Sequence, residues 1–424
     1  MTADPLDLDV LVVGGGPVGA CLAALLIRRS RYRAARIGLI ERQRPRAAVP
    51  GEPVDLRVSA FSRASERILA AADAWADIAA GRISPYERMH VWHASEPFAG
   101  GAGLTFDAAE VSEPNLGYII ENRAVQHALL AALERGGGRI LSGPVTDLTF
   151  ERNHVAVRVG EQDARARLVV GADGGRSLVR ELAGLPVEAK SYGQSAVVCV
   201  VATARAHART AWQRFLGTGT LAFLPLADGS SSIVWSVPSE EAERLRAAPA
   251  EQFASELETA SDHALGHVSL VSERATFALQ QAAAQRYVIE RCALAGDAAH
   301  VVHPLAGQGV NLGLLDAAAL ADVLNVAREQ REDPGALRML RRYERWRKSE
   351  NQLMSFGLDA LNRLLATGTG PFSRLAQRGL GIIDHSGAAK RAFIERALGL
   401  AGELPTAARP AARPAGEAST AAVS

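Results

Sequence analysis

Lysine is almost missing from this chain of 424 residues. Only Lys190, Lys348 and Lys390 occur, and arginine supplies the other 44 basic side chains. The 47 basic residues meet 46 acidic ones, which leaves a net charge of +1. A dedicated nucleic-acid binder needs a strongly basic face, so that class is excluded. Aromatic residues make up 5% of the chain, too few for a base-stacking surface. Cysteine is scarce too. Cys21, Cys199 and Cys292 form no C-x-x-C pair, which removes a redox disulfide and a thiolate metal site and fits a reducing cytoplasm. The N-terminal MTADPLDLDVLVV has no basic region and no cleavage site, so no signal peptide is expected there. No uncharged apolar run approaches the ~20 residues of a membrane span. Against these shortages stand 48% apolar residues, ample for a large core, and a length that suggests two or three domains.

The first pattern is strand, turn, helix. Leu8 to Val13 is an apolar run suited to a buried parallel strand, GGGPVG follows at Gly14 to Gly19, and Ala20 to Arg29 reads as a helix. A second strand runs from Arg36 to Ile40 and ends in Glu41, which completes a βαβ unit. Gly14-x-Gly16-x-x-Gly19 permits a tight turn, close approach of backbone to a pyrophosphate, and close helix–strand packing. An acid at the end of the next strand can accept hydrogen bonds from a ribose. The motif alone is weak, but its flanking strand, helix and acid all fit a bound dinucleotide.

Further along, Ala64 to Ile78 and Arg123 to Arg135 read as helices, and Val155 to Val159 and Ala166 to Val170 as strands. Leu221 to Leu226 and Ser232 to Val237 flank Asp228-Gly229, which predicts a hairpin within an antiparallel sheet. GADGGRSLVR, Gly171 to Arg180, places Asp173 where a strand gives way to a helix, and helix capping is its ordinary reading. Cys292 to Leu324 reads as a short strand, Gly296-Asp297, a compact HPLAGQG loop and a long helix from about Val310. Asp297 suits sugar-like hydroxyls. Gly307 and Gly309 bring backbone and a helix N-terminus to one spot, which favours a developing anion. His300 and His303 lack a third credible metal ligand, and His300 reads as a turn or core histidine.

These three motifs, in this order and spacing, resemble the class A flavoprotein monooxygenases of the para-hydroxybenzoate hydroxylase type. HPLAGQGVNLG followed by Asp316, together with DLRVSAFSRASERIL, YIIENRAVQ and LAFLPLADGSSSIVWSVPSEEAERL, is similar to the ubiquinone-biosynthesis hydroxylases, and among them to the polyprenylphenol hydroxylases. The similarity spans about residues 8 to 400. It implies an α/β fold. The FAD-binding domain is Rossmann-like and three-layered, from segments 1–72, 119–185 and 286–332. An antiparallel-sheet substrate domain follows from 73–118 and 186–285, then C-terminal helices over 333–402 and a disordered tail over 403–424.

The resemblance also implies roles. Gly14, Gly16 and Gly19 would hold the FAD pyrophosphate and Glu41 the adenosine ribose. Arg57 would reach the pyrophosphate or the flavin, and Asn122 or Arg123 would touch FAD. Asp173 would buttress the pyrophosphate region, and Asp297 would bond the ribityl chain. Gly309, Val310 and Asn311 would surround the flavin pyrimidine edge, with His303 and Pro304 lining the flavin face. No residue is assigned as acid or base. The implied reaction is hydroxylation of a polyprenylphenol by dioxygen through a flavin C4a-hydroperoxide, with NAD(P)H as transient reductant. Two other readings stay open: a hydroxylase of small soluble aromatics, and a FAD-retaining non-catalytic subunit of a biosynthetic complex. Residues 337 to 365 combine Arg338, Arg341, Arg342, Arg345, Arg347 and Lys348 with Leu337, Leu340, Trp346 and Leu353. This segment either docks peripherally on a membrane, on its inner face, or packs on the FAD-binding domain.

Overall fold

The computed structural model describes residues 6–29, 32–49, 51–98, 103–302, 308–366, 390–391, 394–396 and 398–410. The strand Leu6–Val13 lies inside the first sheet, between Gln162–Gly171 and Ile37–Glu41, both parallel to it. Val10 pairs with Leu168 on one side and Ile37 on the other. Cys292–Leu294 and Arg139–Ser142 extend the parallel array at either end. Val10, Leu11 and Val12 are fully buried, as a parallel strand covered on both faces must be. Helices Pro17–Arg28, Asn122–Arg135 and Gln308–Glu329 share one core with these strands. Gln308–Glu329 has the length and mean hydropathy of a membrane-crossing helix, but it is largely buried against Pro17–Arg28 and Leu337–Ala366.

The second sheet is mostly antiparallel. Val187–Thr203 pairs with Ser231–Pro238 and Ala275–Ala284, and Gly219–Pro225 joins Ser231–Pro238 to Thr210–Leu216. The expected hairpin at Asp228-Gly229 is present. Gly229 has φ +89°, and the Asp228 carboxylate accepts from Ser230 N and Oγ. The strand Thr210–Leu216 also pairs in parallel with Arg88–His93. The two-residue strand His300–Val301 joins this sheet beside Ala275–Ala284. Val58–Ser62, Gly117–Glu121 and Ser84–Tyr86 form a small third sheet.

Three expectations need correction. The helix expected over Ala64 to Ile78 is broken: Arg63–Ala71 and Trp75–Ala79 are separated by Asp73 at φ +62°. Disorder from Glu403 does not hold either. Thr406–Ala408 forms a 3-10 turn, Ala407 and Ala408 are buried, and Thr406 N donates to Asp322. Residues 411–424 lie outside the described residues. Within Leu337–Ala366, Arg347 is no surface cation: it is 2% exposed and binds Asp316. Leu340 and Tyr343 are fully buried, and Leu337 and Trp346 pack on the same core, so the first half of the helix is anchored to the protein.

This packing has a measurable consequence. Leu340→Ala should cost about 2–5 kcal/mol in urea unfolding. Arg341→Ala and Arg342→Ala, on the exposed face, should stay within about 0.5 kcal/mol. Equal effects at the three positions would contradict this orientation.

Candidate functional site

The glycine-rich turn follows the first strand directly. Gly14 has φ +102°, and a Cβ there would lie 2.4 Å from the Ala172 carbonyl oxygen. A Cβ on Gly19 would meet the Gly14 oxygen at 2.0 Å. These two contacts enforce glycine. Gly16 differs: a Cβ there would meet nothing within 4 Å, because it faces a cavity. Gly16 caps helix Pro17–Arg28 without a side-chain bond, so the first N–H groups of the helix are open to a ligand.

Glu41 ends the second strand beside this turn. Its Oε2 accepts from Gly15 N at 2.9 Å and from Gln126 Nε2 at 3.3 Å, and its Oε1 accepts from Gln43 N. Asn122 lines the same cavity, and its Oδ1 is buried with no hydrogen-bond partner among the described residues. Arg123 turns to Glu52 at 3.2 Å and Asp55 at 3.7 Å. Of the two candidates, Asn122 is the one at the cavity. Arg57 lies 5.3 Å over the Phe277 ring, and its charge acts on Asp297.

Asp173 caps a helix, its ordinary reading, and also borders the cavity. It lines the cavity while its carboxylate accepts from Ser177 Oγ at 2.5 Å and from Leu178 N and Val179 N, which holds the start of helix Leu178–Leu182. Arg180 then donates to the Gly175 and Ala298 carbonyls and so ties this loop to the one carrying Asp297.

Asp297 opens onto the cavity. Burial raises its pKa, and the charges of His300 and Arg57 oppose that rise. Beneath it lies Asp316, wholly enclosed. Asp316 Oδ2 meets His300 Nε2 at 2.5 Å and accepts from Gly296 N at 3.1 Å. Its Oδ1 accepts from Arg347 Nε at 2.8 Å and Asn351 Nδ2 at 3.0 Å. Burial pushes the Asp316 carboxyl up, but His300 and Arg347 outweigh it and hold the group well below the usual carboxylate range. His300, stacked on Tyr287, is thus a core histidine, as its ordinary reading has it.

Gly309 and Val310 line the cavity. Asn311, expected at the flavin edge, is held by its side chain. Its side chain is 4% exposed and turns inward, accepting from Ser62 N and Ser65 Oγ and donating to the Ala60 carbonyl. It pins the helix start to the strand Val58–Ser62. His303 and Pro304 lie outside the described residues. Sequence reasoning gave Gln126 and Arg180 no role, although both stand in the quoted motifs. Gln126 had a signal: it follows Asn122 by four residues and so shares its helix face.

Gly14–Val18, Glu41, Asn122, Gln126, Asp173, Asp297, Gly309 and Val310 border one cavity of about 1410 Å³, which continues onto the second sheet. Pockets for one drug-sized ligand hold about 300–1,000 Å³, so there is room for a dinucleotide and a second molecule. The polar end fits FAD: an uncapped helix start at Gly16, the unpartnered Asn122 oxygen, and carboxylates at Glu41 and Asp297.

A family model described as an FAD binding domain matches residues 7–354. The chain belongs to this family. Its cofactor is FAD, and its fold is that of the flavin monooxygenases of the para-hydroxybenzoate hydroxylase type. Among relatives of this FAD-binding protein, the ubiquinone hydroxylase UbiL of Rhodospirillum rubrum is 39% identical over 394 residues, covering 92% of this chain and 89% of that one. The 3-demethoxyubiquinol 3-hydroxylase of Escherichia coli is 35% identical over 94% of this chain and 100% of its own length. The solved structure of P. aeruginosa PqsL in complex with 2-aminobenzoylacetate superposes with a TM-score of 0.71 at 26% identity, over 89% of this chain and 100% of that one.

Two outcomes are expected. On the expectation that Asp297 bonds the ribityl chain, Asp297→Ala should weaken FAD binding about 10–100-fold in a fluorescence titration. Asp316→Asn should cost about 3–5 kcal/mol at neutral pH, because it leaves Arg347 buried without its counter-charge. Since the folded pKa of Asp316 is depressed, its contribution is present above the unfolded carboxylate pKa and fades as pH falls toward the folded value. Wild-type stability should therefore drop below about pH 4, and the Asn variant should show a shallower acid slope.

Proposed function

We propose that this FAD-dependent monooxygenase hydroxylates the ring of a polyprenylated phenol in ubiquinone biosynthesis, using dioxygen and NAD(P)H. One observation supports the reading above others: the cavity continues from its polar, FAD-fitting end into an apolar chamber on the second sheet. Bound FAD supplies the activation of dioxygen. The protein holds the cofactor through the glycine turn, Glu41 and Asp297. It excludes water with Met89, Leu104, Phe106, Leu116, Phe215 and Leu224, all on the chamber wall. In this division of labour the first sheet serves the cofactor and the second the substrate. Such chemistry asks for a dry, oriented ring more than for an acid–base pair.

A polyprenyl tail is nearly insoluble in water, which bears on how the substrate arrives. The cavity reaches Leu353 and Met354, and Leu353 is 53% exposed. Arg341, Arg342 and Arg345 are exposed on the same helix. We infer peripheral contact of this outer face with an anionic bilayer, at about 1 kcal/mol per basic residue near the surface.

The FAD-loaded protein should incorporate one atom of labelled dioxygen into a prenylated phenol. Label from water alone would exclude the reaction, and faster turnover of short, unprenylated phenols would favour the hydroxylase of small aromatics. In liposome flotation at low salt, the wild type should rise with anionic vesicles and the Arg341→Glu, Arg342→Glu, Arg345→Glu variant should not. Wild type that stays unbound would require delivery by a partner protein.

A further inference from the structure

The chamber face of the second sheet is apolar except at one spot. Strand pairing places Phe215, Thr220 and Ser236 in one row, and Gln213, Ala222 and Val234 in the next. All six line the cavity. Directly paired residues have Cβ atoms about 4.5–5.5 Å apart, and diagonal neighbours about 7–8 Å. Thr220 and Ser236 are thus direct neighbours and Gln213 is a diagonal neighbour of Thr220, so the three form a continuous polar stripe across three strands. They are 6%, 7% and 1% exposed. No hydrogen bond ties any of these three side chains to another described residue. Their polar atoms open onto the cavity, where a bound molecule can reach them. The missing partner is one that the contents of the cavity can supply.

We propose that Gln213, Thr220 and Ser236 form a hydrogen-bonding subsite for the oxygen substituents of an aromatic head group, and so select the ring carbon that is hydroxylated. This rests on the reading of the chain as a hydroxylase of prenylated phenols. A glutamine amide both donates and accepts, as do the two hydroxyls, so the patch takes a phenol O–H or a methoxyl oxygen equally. Neither row carries a charged side chain. The patch itself therefore offers a ring carboxylate no counter-charge and suits neutral oxygen substituents.

The test compares FAD-loaded wild type, Gln213→Leu and the double variant Thr220→Val, Ser236→Ala. Two ligands with the same prenyl tail are titrated by the perturbation of flavin absorbance: a prenylated methoxyphenol and the corresponding prenylbenzene. Circular dichroism and FAD content establish that each variant is folded and loaded. Wild type should prefer the methoxyphenol. Gln213→Leu should weaken methoxyphenol binding about 10-fold while leaving prenylbenzene within about twofold, and Gln213→Asn should recover part of the loss. Product analysis should show a changed ratio of ring isomers. Equal losses for both ligands, or none, would overturn the subsite, as would a wild type that binds both rings alike. If the ligand preference is found but no labelled oxygen enters the ring, the subsite stands and the hydroxylase reading fails.

Discussion

A carboxylate with no access to water must be paired, and the arrangement around Asp316 follows from that requirement. Its four partners come from three places: the Gly296 turn, the short strand of His300, and helix Leu337–Ala366, which carries Arg347 and Asn351. Asp316 itself sits on Gln308–Glu329, whose first residues border the cavity. One side chain thereby sets the loop that presents Asp297, the register of the second sheet's edge strand, and the docking of the C-terminal helix. Arg180 reinforces the same loop from the other side through the Ala298 carbonyl. Cofactor geometry is in this sense a product of buried charge pairing rather than of the cavity lining alone.

The βαβ unit was legible because its signals are local. Glycines at fixed spacing, an apolar strand and an acid at the next strand end all act within about 30 residues. The hairpin at Asp228-Gly229 was legible for the same reason. The anchoring of the Asn311 side chain was not legible, because its partners, Ser62 and Ala60, lie some 250 positions away in the chain. Arg347 was misjudged because a basic run at helical spacing looks the same whether one member is buried or none is. Only the position of Asp316 beneath the helix separates Arg347 from Arg345. Gln213 gave no signal at all: alternation along a strand tells which residues share a face, but not that the face borders a cavity.

The chamber adds a second kind of constraint. Its polar end is built from backbone amides and carboxylates fixed by turns, where shape is set by main-chain geometry. Its apolar end is built from side chains projecting from strands, where shape changes with each substitution. Cofactor identity is hence written in the part of the site that tolerates little variation, and substrate identity in the part that tolerates more.

The order of strands along the chain has one more consequence. The first sheet draws on Leu6–Val13, Ile37–Glu41, strands from Arg139 to Gly171, and strands from Val288 to Leu294, whereas the second draws on segments from Arg88 to Asp107, Val187 to Ala284 and His300 to Val301. The two sets interleave. A single break in the backbone between residues 142 and 162, for example, leaves strands of both sheets on each fragment. Neither sheet can be excised as a contiguous piece, so a nicked molecule behaves as two complementary halves rather than as two domains. The chain's topology makes the cofactor layer and the substrate layer a single unit of assembly.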